Sequence, residues 1–271
     1  MQGILRAGRL NGVGELIVAR EADGLVIVTL NRPEKRNAIS SALWQGLKTA
    51  FDALDDAPDV RSVILTGQGS HFSAGADIAE FPIVHATAEA GAAYDRAEVD
   101  ALLAVANCSK PTVAHISGFA IGGAVALALA CDFRIGDDSA NLFIPAGRLG
   151  VVYNRLECEL LLRQVGLTNA KHILFSGEPV GAAEALRLGL LTQVVAAGGA
   201  QAARDLCHRF ATSAPNSLTG NKFILNAIAC GEADTRAAGI DQFVRRATMS
   251  EDHKEGQRAF LEKRAPVFVG R

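Results

Sequence analysis

The sequence predicts an α/β core that is followed by a mostly helical C-terminal part. Two observations lead to this prediction. Up to about residue 146, short runs rich in β-branched residues alternate with segments of helical periodicity, and from about residue 153 nearly every segment has helical spacing. The sequence also lacks a linker rich in proline, glycine and serine that would separate independent domains.

Each predicted element follows from its local pattern. The segments with strand composition in the first half are ELIVAR, GLVIVTL, RSVILTG, PTVAHIS and CDFRIG. The helical segments there are SALWQGLKTAFDALDD, with Ser40 or Ser41 as its N-cap, AEVDALLAVANC and AVALALACD, while SGFAIGG is predicted as a turn. The helical segments of the second half are TNAKHILFSG, VGAAEALRLG, AQAARDLCHRFATSA, PNSLTGNKFILNAIAC and DTRAAGIDQFVRRATMS. Gly177 and Gly189 fit as helix stops, and LLTQVV is the one strand predicted in this half.

Composition argues against several classes of function. The 271 residues are 49% hydrophobic and 21% charged with a net charge of -2, which is typical of a globular protein and gives no basic field for nucleic acid. The longest apolar run, residues 119–131, is too short to cross a bilayer, and the N-terminal segment lacks the features of a secretory signal. We therefore expect a cytoplasmic protein. The five cysteines are odd in number and widely spaced, which argues against a disulfide framework and a zinc site.

Two glycines open the most apolar helical segment of the sequence. Gly122 and Gly123 stand between the predicted strand PTVAHIS and the helix AVALALACD, so they lie where a helix begins. Free backbone N–H groups and the positive end of the helix dipole are found there, and the missing side chains let an oxygen atom approach the backbone. This pattern predicts an oxyanion-binding site, although close packing of strand on helix explains the glycines equally well.

A second segment, HFSAGADIAEF, favours the oxyanion site. It follows the strand RSVILTG and places small residues and a glycine turn before a short helix that begins near Asp77. The Ala76 N–H is therefore a second candidate donor. Two amides that converge on one carbonyl oxygen would stabilise an enolate or a tetrahedral oxyanion, and removing one such donor costs about 3 kcal/mol of transition-state stabilisation.

Three motifs, NRPEKRNAIS, FSAGADI and SGFAIGGAVALALACD, follow one another along the chain. Together they resemble the enoyl-CoA hydratase/isomerase superfamily, whose members have the crotonase fold. The resemblance implies a spiral of ββα units with two roughly perpendicular sheets. It implies a core with the acyl-CoA site over residues 1–200, and a C-terminal helical region for oligomerisation and for covering CoA over residues 201–271. A homotrimer or a dimer of trimers is expected.

The resemblance also implies the residues of the site. In such a site the N–H groups of Ala76 and Gly123 polarise the carbonyl of an acyl-CoA thioester. The residues implied at the adenine and phosphates of CoA are Lys35, Ala38, Ala74, Asp77, Ile78 and Lys263, the last from the same or a neighbouring subunit. CoA enters as part of the substrate, and neither a metal nor a redox cofactor is expected.

The sequence departs from the family at two carboxylates. Hydratases that it resembles carry glutamates at the positions of Ala126 and Ala146, and adding water needs one group to deprotonate water and another to protonate carbon. Decarboxylation of a malonyl-type thioester needs no such base, because the departing carboxylate leaves its electron pair behind. The C-terminal half looks like the methylmalonyl-CoA decarboxylase branch, in which a tyrosine at the position of Tyr153 faces the acyl group.

We therefore expect a decarboxylase-like lyase in which Tyr153 binds or orients the substrate carboxylate. That branch carries a histidine at the position of Ala76 and a glutamate at Ala126, so the identity of the acyl group stays open. Two alternatives remain: a hydratase or isomerase that uses another acid or base, such as Glu157 or Tyr153, and a non-catalytic acyl-CoA-binding protein. Asn154 either lines the acyl pocket, together with Ala126 and Ala146, or caps the helix that follows it.

Overall fold

A computed structural model describes residues 14–271 of the protein. Its strands are β1 (Leu16–Arg20), β2 (Leu25–Leu30), β3 (Ser62–Gly67), β4 (Thr112–Ile116), β5 (Phe119–Ile121), β6 (Phe133–Asp137), β7 (Asn141–Phe143), β8 (Val180–Gly181) and β9 (Gln193–Val195). Its helices are α1 (Ser41–Asp56), α2 (Phe81–Val84), α3 (Ala88–Asn107), α4 (Gly123–Ala130), α5 (Ala146–Leu149), α6 (Arg155–Ser176), α7 (Ala182–Leu188), α8 (Gly199–Ala211), α9 (Pro215–Ala229), α10 (Ala237–Thr248) and α11 (Glu251–Glu262). Residues 1–13, on which most of the prediction about a secretory signal depends, lie outside the described range.

Six strands form one sheet in the order β1-β2-β3-β4-β6-β9, and three form a second sheet in the order β5-β7-β8. In the large sheet β1 is antiparallel to β2, and the other neighbours are parallel. Ile27, Ile64 and Val113 pack with α8 on one face of this sheet. Val28 and Leu65 join the main core on the other face. The two-residue period of the strands thus gives the sheet an apolar layer on each side.

Helix α1 anchors the layer that leads to the site. Its N-cap is Ser40, one of the two residues predicted, because Ser40 Oγ accepts a hydrogen bond from Leu43 N–H at 3.1 Å. Its apolar stripe buries Trp44, Leu47 and Phe51 in the main core. Helix α3 packs along α1 and also contacts α4. Residues of α3 are thereby brought next to the glycine turn that opens α4.

Two short strands correct the sequence-based prediction. SGFAIGG is predicted as a turn, but Phe119–Ile121 within it forms β5, parallel to β7. Val180–Gly181 forms β8, so LLTQVV is not the only strand of the C-terminal half. These strands have three and two residues. Such lengths are too short for an alternating pattern to be recognised in the sequence.

Glycines end helices where the sequence predicts it. Gly177 and Gly189 follow α6 and α7 in left-handed conformations, with φ of 57° and 90°. Gly166 interrupts α6 with a φ of 74°, and the predicted helix TNAKHILFSG forms the second part of α6. From residue 14 onward, none of the helices combines the length and the apolar character needed to cross a membrane.

The C-terminal helices differ in how they contact the core. Helix α8 packs against the large sheet through Ala203 and Cys207. The predicted boundary at residue 200 therefore falls inside this helix, and the division of the chain stays a prediction. Helix α9 is joined to the core by Lys222, whose ammonium lies 2.6 Å from the Asp132 carboxylate. Helices α9 and α10 pack on each other. Their exposed large apolar side chains are Leu225, Ile228 and Val244.

Candidate active site

A parallel register brings Ala76 next to Gly123. Ser73 forms a parallel bridge with Ala120 in β5. Because paired residues advance together in parallel strands, the residues three positions further along each chain, Ala76 and Gly123, come close to each other. Their proximity is measurable at Gly75, where an added Cβ would lie 3.6 Å from the Gly123 nitrogen.

The N–H groups of Ala76 and Gly123 are available to a ligand. Ile39 donates to Gly75 O at 2.7 Å and accepts from Asp77 N–H at 3.0 Å. The Ala76 N–H, which lies between these two bonds, therefore points away from Ile39. Gly123 is the first residue of α4, and its N–H precedes the intrahelical hydrogen bonds. Within residues 14–271 neither group has an acceptor outside the regular elements, so the pair has the geometry expected of an oxyanion hole.

Glycine is required at two positions of this turn. Gly75 has a φ of 81°, and a Cβ there would lie 2.3 Å from the carbonyl oxygen of Ile121. Gly122 has a φ of 57° and forms the N-cap of α4. Both values lie in the left-handed region that glycine adopts without a steric cost. The two segments can approach each other only because residue 75 has no side chain, whereas at Gly122 it is the backbone conformation that requires glycine.

Tyr153 lies beside the amide pair. Its hydroxyl oxygen is 3.8 Å from the position that a Cβ on Gly122 would occupy. The hydroxyl is buried, and no described residue forms a hydrogen bond with it. Burial, and then the charges of Glu157 and Glu98, raise the pKa of Tyr153 far above its usual value. The phenol thus stays neutral and can donate a hydrogen bond to a ligand atom.

Glu98 of α3, a residue that the sequence analysis does not name, places a carboxylate at the hole. Its Oε1 atom lies 2.7 Å from the position that a Cβ on Gly123 would occupy. Burial, followed by the charge of Glu157, raises the pKa of Glu98 to about 8. Ala126 and Ala146 are buried, with exposed fractions of 1% and 7%. Neither alanine supplies a carboxylate to the hole, and Glu98 is a carboxylate from another helix that the sequence analysis does not name.

The sequence does contain a signal for Glu98. Helix α3 buries the stripe Tyr94, Ala101, Leu102 and Val105. Glu98 lies on the same stripe, four residues after Tyr94 and four before Leu102. A carboxylate at an apolar position of an amphipathic helix is rarely buried without a partner, so such a position marks a candidate functional residue.

Glu157 supplies a second carboxylate, which is buried, whereas Glu98 is partly buried. It is 6% exposed, and its Oε2 accepts a hydrogen bond from the Asn154 N–H at 2.9 Å. Asn154 Oδ1 accepts in turn from the Glu157 N–H at 3.1 Å, which completes a capping box at the start of α6. The Asn154 side chain is thus used as a helix cap. Burial raises the pKa of Glu157 to about 7, although the hydrogen bond from Asn154 lowers it.

The two carboxylates differ in protonation near neutral pH. With a pKa of about 8, Glu98 is mostly protonated, whereas Glu157, with a pKa of about 7, is about half ionised. The charge of Asp95 raises the pKa of both groups. An acid and a base with separated pKa values are the two groups that acid–base catalysis requires.

Trp44 of α1 packs against the glycine end of α4. Its Cζ2 atom lies 3.4 Å from the position of a Cβ on Gly123. Its ring N–H donates to the Tyr94 hydroxyl at 3.3 Å, and both residues are buried. Burial raises the pKa of Tyr94 above its usual value. The neutral Tyr94 hydroxyl thus accepts the hydrogen bond that holds the Trp44 ring against Gly123.

The segment implied for CoA binding comes together around Asp77. The Lys35 ammonium lies 3.2 Å from the Asp77 carboxylate, which also binds Arg32 at 2.9 Å. The Ala38 carbonyl accepts a hydrogen bond from Arg32 at 2.6 Å. The Lys35 side chain is 50% exposed, so its ammonium is accessible to a phosphate. The other two residues implied on this loop are Ala74, partly buried, and Ile78, exposed.

Lys263 stands apart from this segment. It follows α11, which packs on α10, and its side chain is exposed. Within residues 14–271 its ammonium forms no ion pair. A role for Lys263 in binding a phosphate of CoA stays a prediction.

Comparison with known families decides the class of protein. The family described as "Enoyl-CoA hydratase/isomerase" matches residues 20–271. The chain belongs to this family. The expectation of an acyl-CoA enzyme of the crotonase superfamily is thereby supported, while the nearer likeness to the methylmalonyl-CoA decarboxylase branch stays a prediction.

Relatives and solved structures agree with this assignment. The "Probable enoyl-CoA hydratase" of Bacillus subtilis is 33% identical over 252 residues, which cover 91% of this chain and 95% of the relative. The "Short-chain-enoyl-CoA hydratase" of Clostridium acetobutylicum is 31% identical over 250 residues, with 91% and 95% covered. A crystal structure of an enoyl-CoA hydratase/carnithine racemase from Magnetospirillum magneticum superposes with a TM-score of 0.88 at 31% identity and covers 96% of this chain and 97% of that one. The protein therefore has the crotonase fold.

Replacing Gly75 tests whether activity requires the close approach of the Ala76 and Gly123 N–H groups. Gly75→Ala is expected to lower acyl-CoA turnover by about a hundredfold, because its Cβ would meet the Ile121 carbonyl at 2.3 Å and displace the Ala76 N–H. Gly69→Ala is the matched control, since Gly69 has a φ of 83° but its Cβ would meet nothing closer than 3.8 Å. Turnover and thermal unfolding would be measured for both. Equal turnover in the two variants would contradict the role of the close approach.

A raised pKa at Glu98 predicts a pH-dependent cost in stability. Between its ordinary pKa of 4.5 and about 8, Glu98 binds more protons in the folded than in the unfolded state, so the free energy of unfolding falls as pH rises through this window. Glu98→Gln removes this dependence. The free energy of unfolding of Glu98→Gln minus that of the parent protein should therefore increase as pH rises from 4.5 to about 8, as measured by urea unfolding.

Glu89→Gln provides the control for that series. Glu89 is exposed on the same helix, and hydrogen bonds from its own backbone and from Thr87 lower its pKa. This variant should not gain relative stability as pH rises. A pH-independent difference between Glu98→Gln and the parent protein would show that Glu98 is not held in its protonated form.

Proposed function

We propose that the protein is an enoyl-CoA hydratase/isomerase that stabilises a thioester enolate at the N–H groups of Ala76 and Gly123. In this proposal, carboxylates from α3 and α6 move the protons. The substrate is an acyl-CoA with a carbon–carbon double bond near the thioester carbonyl. CoA arrives with the acyl group, and Lys35 is the cation that would meet its phosphates.

The observation that carries this function is the position of Glu98. Water addition and double-bond migration both require a proton to be delivered to, or taken from, a carbon next to the thioester carbonyl. Glu98 Oε1 lies beside Gly123, the residue whose N–H would hold the enolate oxygen. A protonated carboxyl at that point supports proton delivery to the enolate carbon, and the names of the relatives support the same class of reaction.

Decarboxylation of a malonyl-type thioester is the second candidate. The observation that favours it is the buried Tyr153 hydroxyl, which has no hydrogen-bond partner among the described residues and could bind a substrate carboxylate. The electrostatics favour it less. A substrate carboxylate would share the pocket with Glu157, whose pKa of about 7 leaves it partly ionised at neutral pH, and like charges in a desolvated site repel.

A non-catalytic acyl-CoA-binding protein is the third hypothesis. It gives no reason for one buried and one partly buried carboxylate with raised pKa values, because each lowers the stability of the folded chain above its ordinary pKa. Groups that cost stability in this way are more often retained for chemistry than for binding. We therefore favour an enzyme, which we expect in the cytoplasm.

Mass spectrometry of acyl-CoA mixtures tests the reaction. Crotonyl-CoA is expected to gain one water, and 3-enoyl-CoA to form a conjugated thioester that is detected by its absorbance. Glu98→Gln should lower kcat by roughly 10²- to 10⁴-fold, and Glu89→Gln on the same helix should not change it. Tyr153→Phe shows whether the phenol contributes.

Each of the two other hypotheses predicts a different result in this experiment. Loss of carbon dioxide from methylmalonyl- or ethylmalonyl-CoA, without water addition to crotonyl-CoA, would select the decarboxylase instead. Binding of these thioesters without any reaction would favour the non-catalytic hypothesis.

Assembly into a trimer or a dimer of trimers is part of the proposal. It is supported by the exposed apolar side chains Leu225, Ile228 and Val244 on α9 and α10, since such a patch favours contact with another chain. Light scattering should give three or six chain masses, and Ile228→Glu should lower the mass because it places a charge in the contact. A monomeric parent protein would contradict this assembly.

A further inference from the structure

Glu98 and Glu157 are held in different ways. Glu157 is fixed at the start of α6, where its Oε2 accepts from the Asn154 N–H at 2.9 Å and its own N–H donates to Asn154 Oδ1 at 3.1 Å. Among residues 14–271, no hydrogen bond to the Glu98 side chain is present. Glu157 is therefore held by a backbone N–H, whereas the partly buried Glu98 has no such donor among the described residues.

A backbone N–H that donates to a carboxylate stabilises its ionised form, whereas an apolar environment favours the protonated form. The two carboxylates face each other, and the other charged and titratable groups around them are Asp95 and Tyr94 on α3, Tyr153 in the loop before α6, and Cys158 on α6. Asp95 acts on both carboxylates in the same direction, so it does not distinguish them. Two features do: the charge of Glu157, which raises the pKa of Glu98, and the Asn154 N–H, which donates to Glu157.

We propose that Asn154 is a positioning residue that fixes which carboxylate is the base and which the acid. Glu157, held in the capping box, takes the proton from water, and Glu98, which has no hydrogen-bond partner in the described part of the chain, gives a proton to carbon. This inference depends on the proposed hydratase function. It assigns the base to α6 and the acid to α3, on opposite halves of the chain.

Hydration of the enoyl group would begin with attack by water. The water oxygen forms a bond to carbon 3 of the enoyl group while one water proton passes to Glu157. The electron pair of the double bond moves toward the thioester and makes the enolate, whose oxygen is held by the N–H groups of Ala76 and Gly123. Carbon 2 then takes the proton of Glu98. Transfer of a proton from Glu157 to Glu98 through solvent restores the starting state, and the sum is addition of one water.

The protonation order agrees with this division. Glu157 has a pKa of about 7 and Glu98 a pKa of about 8, and the Asn154 hydrogen bond is the contact that lowers the pKa of Glu157. The donor of this bond is the backbone N–H of residue 154, which Asn154→Ala keeps, but that variant loses the side-chain oxygen that accepts from the Glu157 N–H. The first turn of α6 would then hold the Glu157 carboxylate less firmly against the donor, and the pKa of Glu157 would move toward that of Glu98. A smaller fraction of the enzyme would then carry one ionised base and one protonated acid.

Variants of Asn154 separate positioning from simple helix capping. Asn154→Ala should lower kcat/KM by about tenfold and shift the acid limb of its pH profile upward, because the cap that fixes the first turn of α6 is lost. Asn154→Ser should restore both, since serine is an equally good N-cap. Asn154→Asp should keep kcat but shift the acid limb upward, because the added negative charge raises the pKa of Glu157.

Ser250→Ala is the matched control. Ser250 caps α11 by accepting from the His253 N–H at 3.0 Å, which resembles the Asn154 cap but lies on another helix. This variant should lose helix stability and leave the pH profile unchanged. If Asn154→Ala and Ser250→Ala gave the same profile as the parent, the positioning role of Asn154 would be overturned.

A second measurement, made without substrate, separates this inference from the proposed function. Trp44 is the only tryptophan of the chain, and both it and Glu98 lie within 4 Å of the same point at Gly123, so its fluorescence should follow the protonation of the site. Glu98→Gln should remove the upper pH midpoint and Asn154→Ala should raise the lower one. If the parent protein shows both pH midpoints but converts no enoyl-CoA, the hydratase function is overturned. If the parent is active but Asn154→Ala leaves the lower pH midpoint unchanged, only the role of Asn154 is overturned.

Discussion

The site depends on one close approach, that of the chain at Gly75 to the carbonyl of Ile121. A side chain of any size at residue 75 would collide with that oxygen. The approach lets the loop after β3 run parallel to β5, and the same register sets the Ala76 and Gly123 amides side by side. The hole is thus a product of backbone packing, which explains why its two donors need no particular side chain.

Around this backbone feature, helices of different origin contribute the polar groups. Helix α4 is buried along its whole length and presents only apolar side chains next to the hole. The carboxylates arrive instead from α3, which packs on α1 and α4, and from the first turn of α6. Burying them raises their pKa values and costs stability above their ordinary pKa values. This cost is the expected signature of groups that are retained for chemistry.

Much of this arrangement can be predicted from sequence, because the strands, the long helices, the Ser40 cap and the glycine turn all have local signals. The short strands β5 and β8 cannot, since pairing partners and not composition define them. Glu98 is missed for another reason. Its position on the apolar stripe of α3 is visible, but its distance to Gly123 depends on how α3 packs against α1 and α4, which local patterns do not specify.

The placement of Glu98 also bears on how homologues are compared. An alignment assigns roles by column, and the columns of Ala126 and Ala146 would mark this chain as having lost its acid and base. The structure shows that the space beside Gly123 nevertheless contains a carboxylate, that of Glu98 from α3. In the proposed mechanism the proton-transfer groups lie on other helices while the backbone donors keep their place, so the space beside these donors is where an acid or base should be sought in homologues that lack the two glutamates.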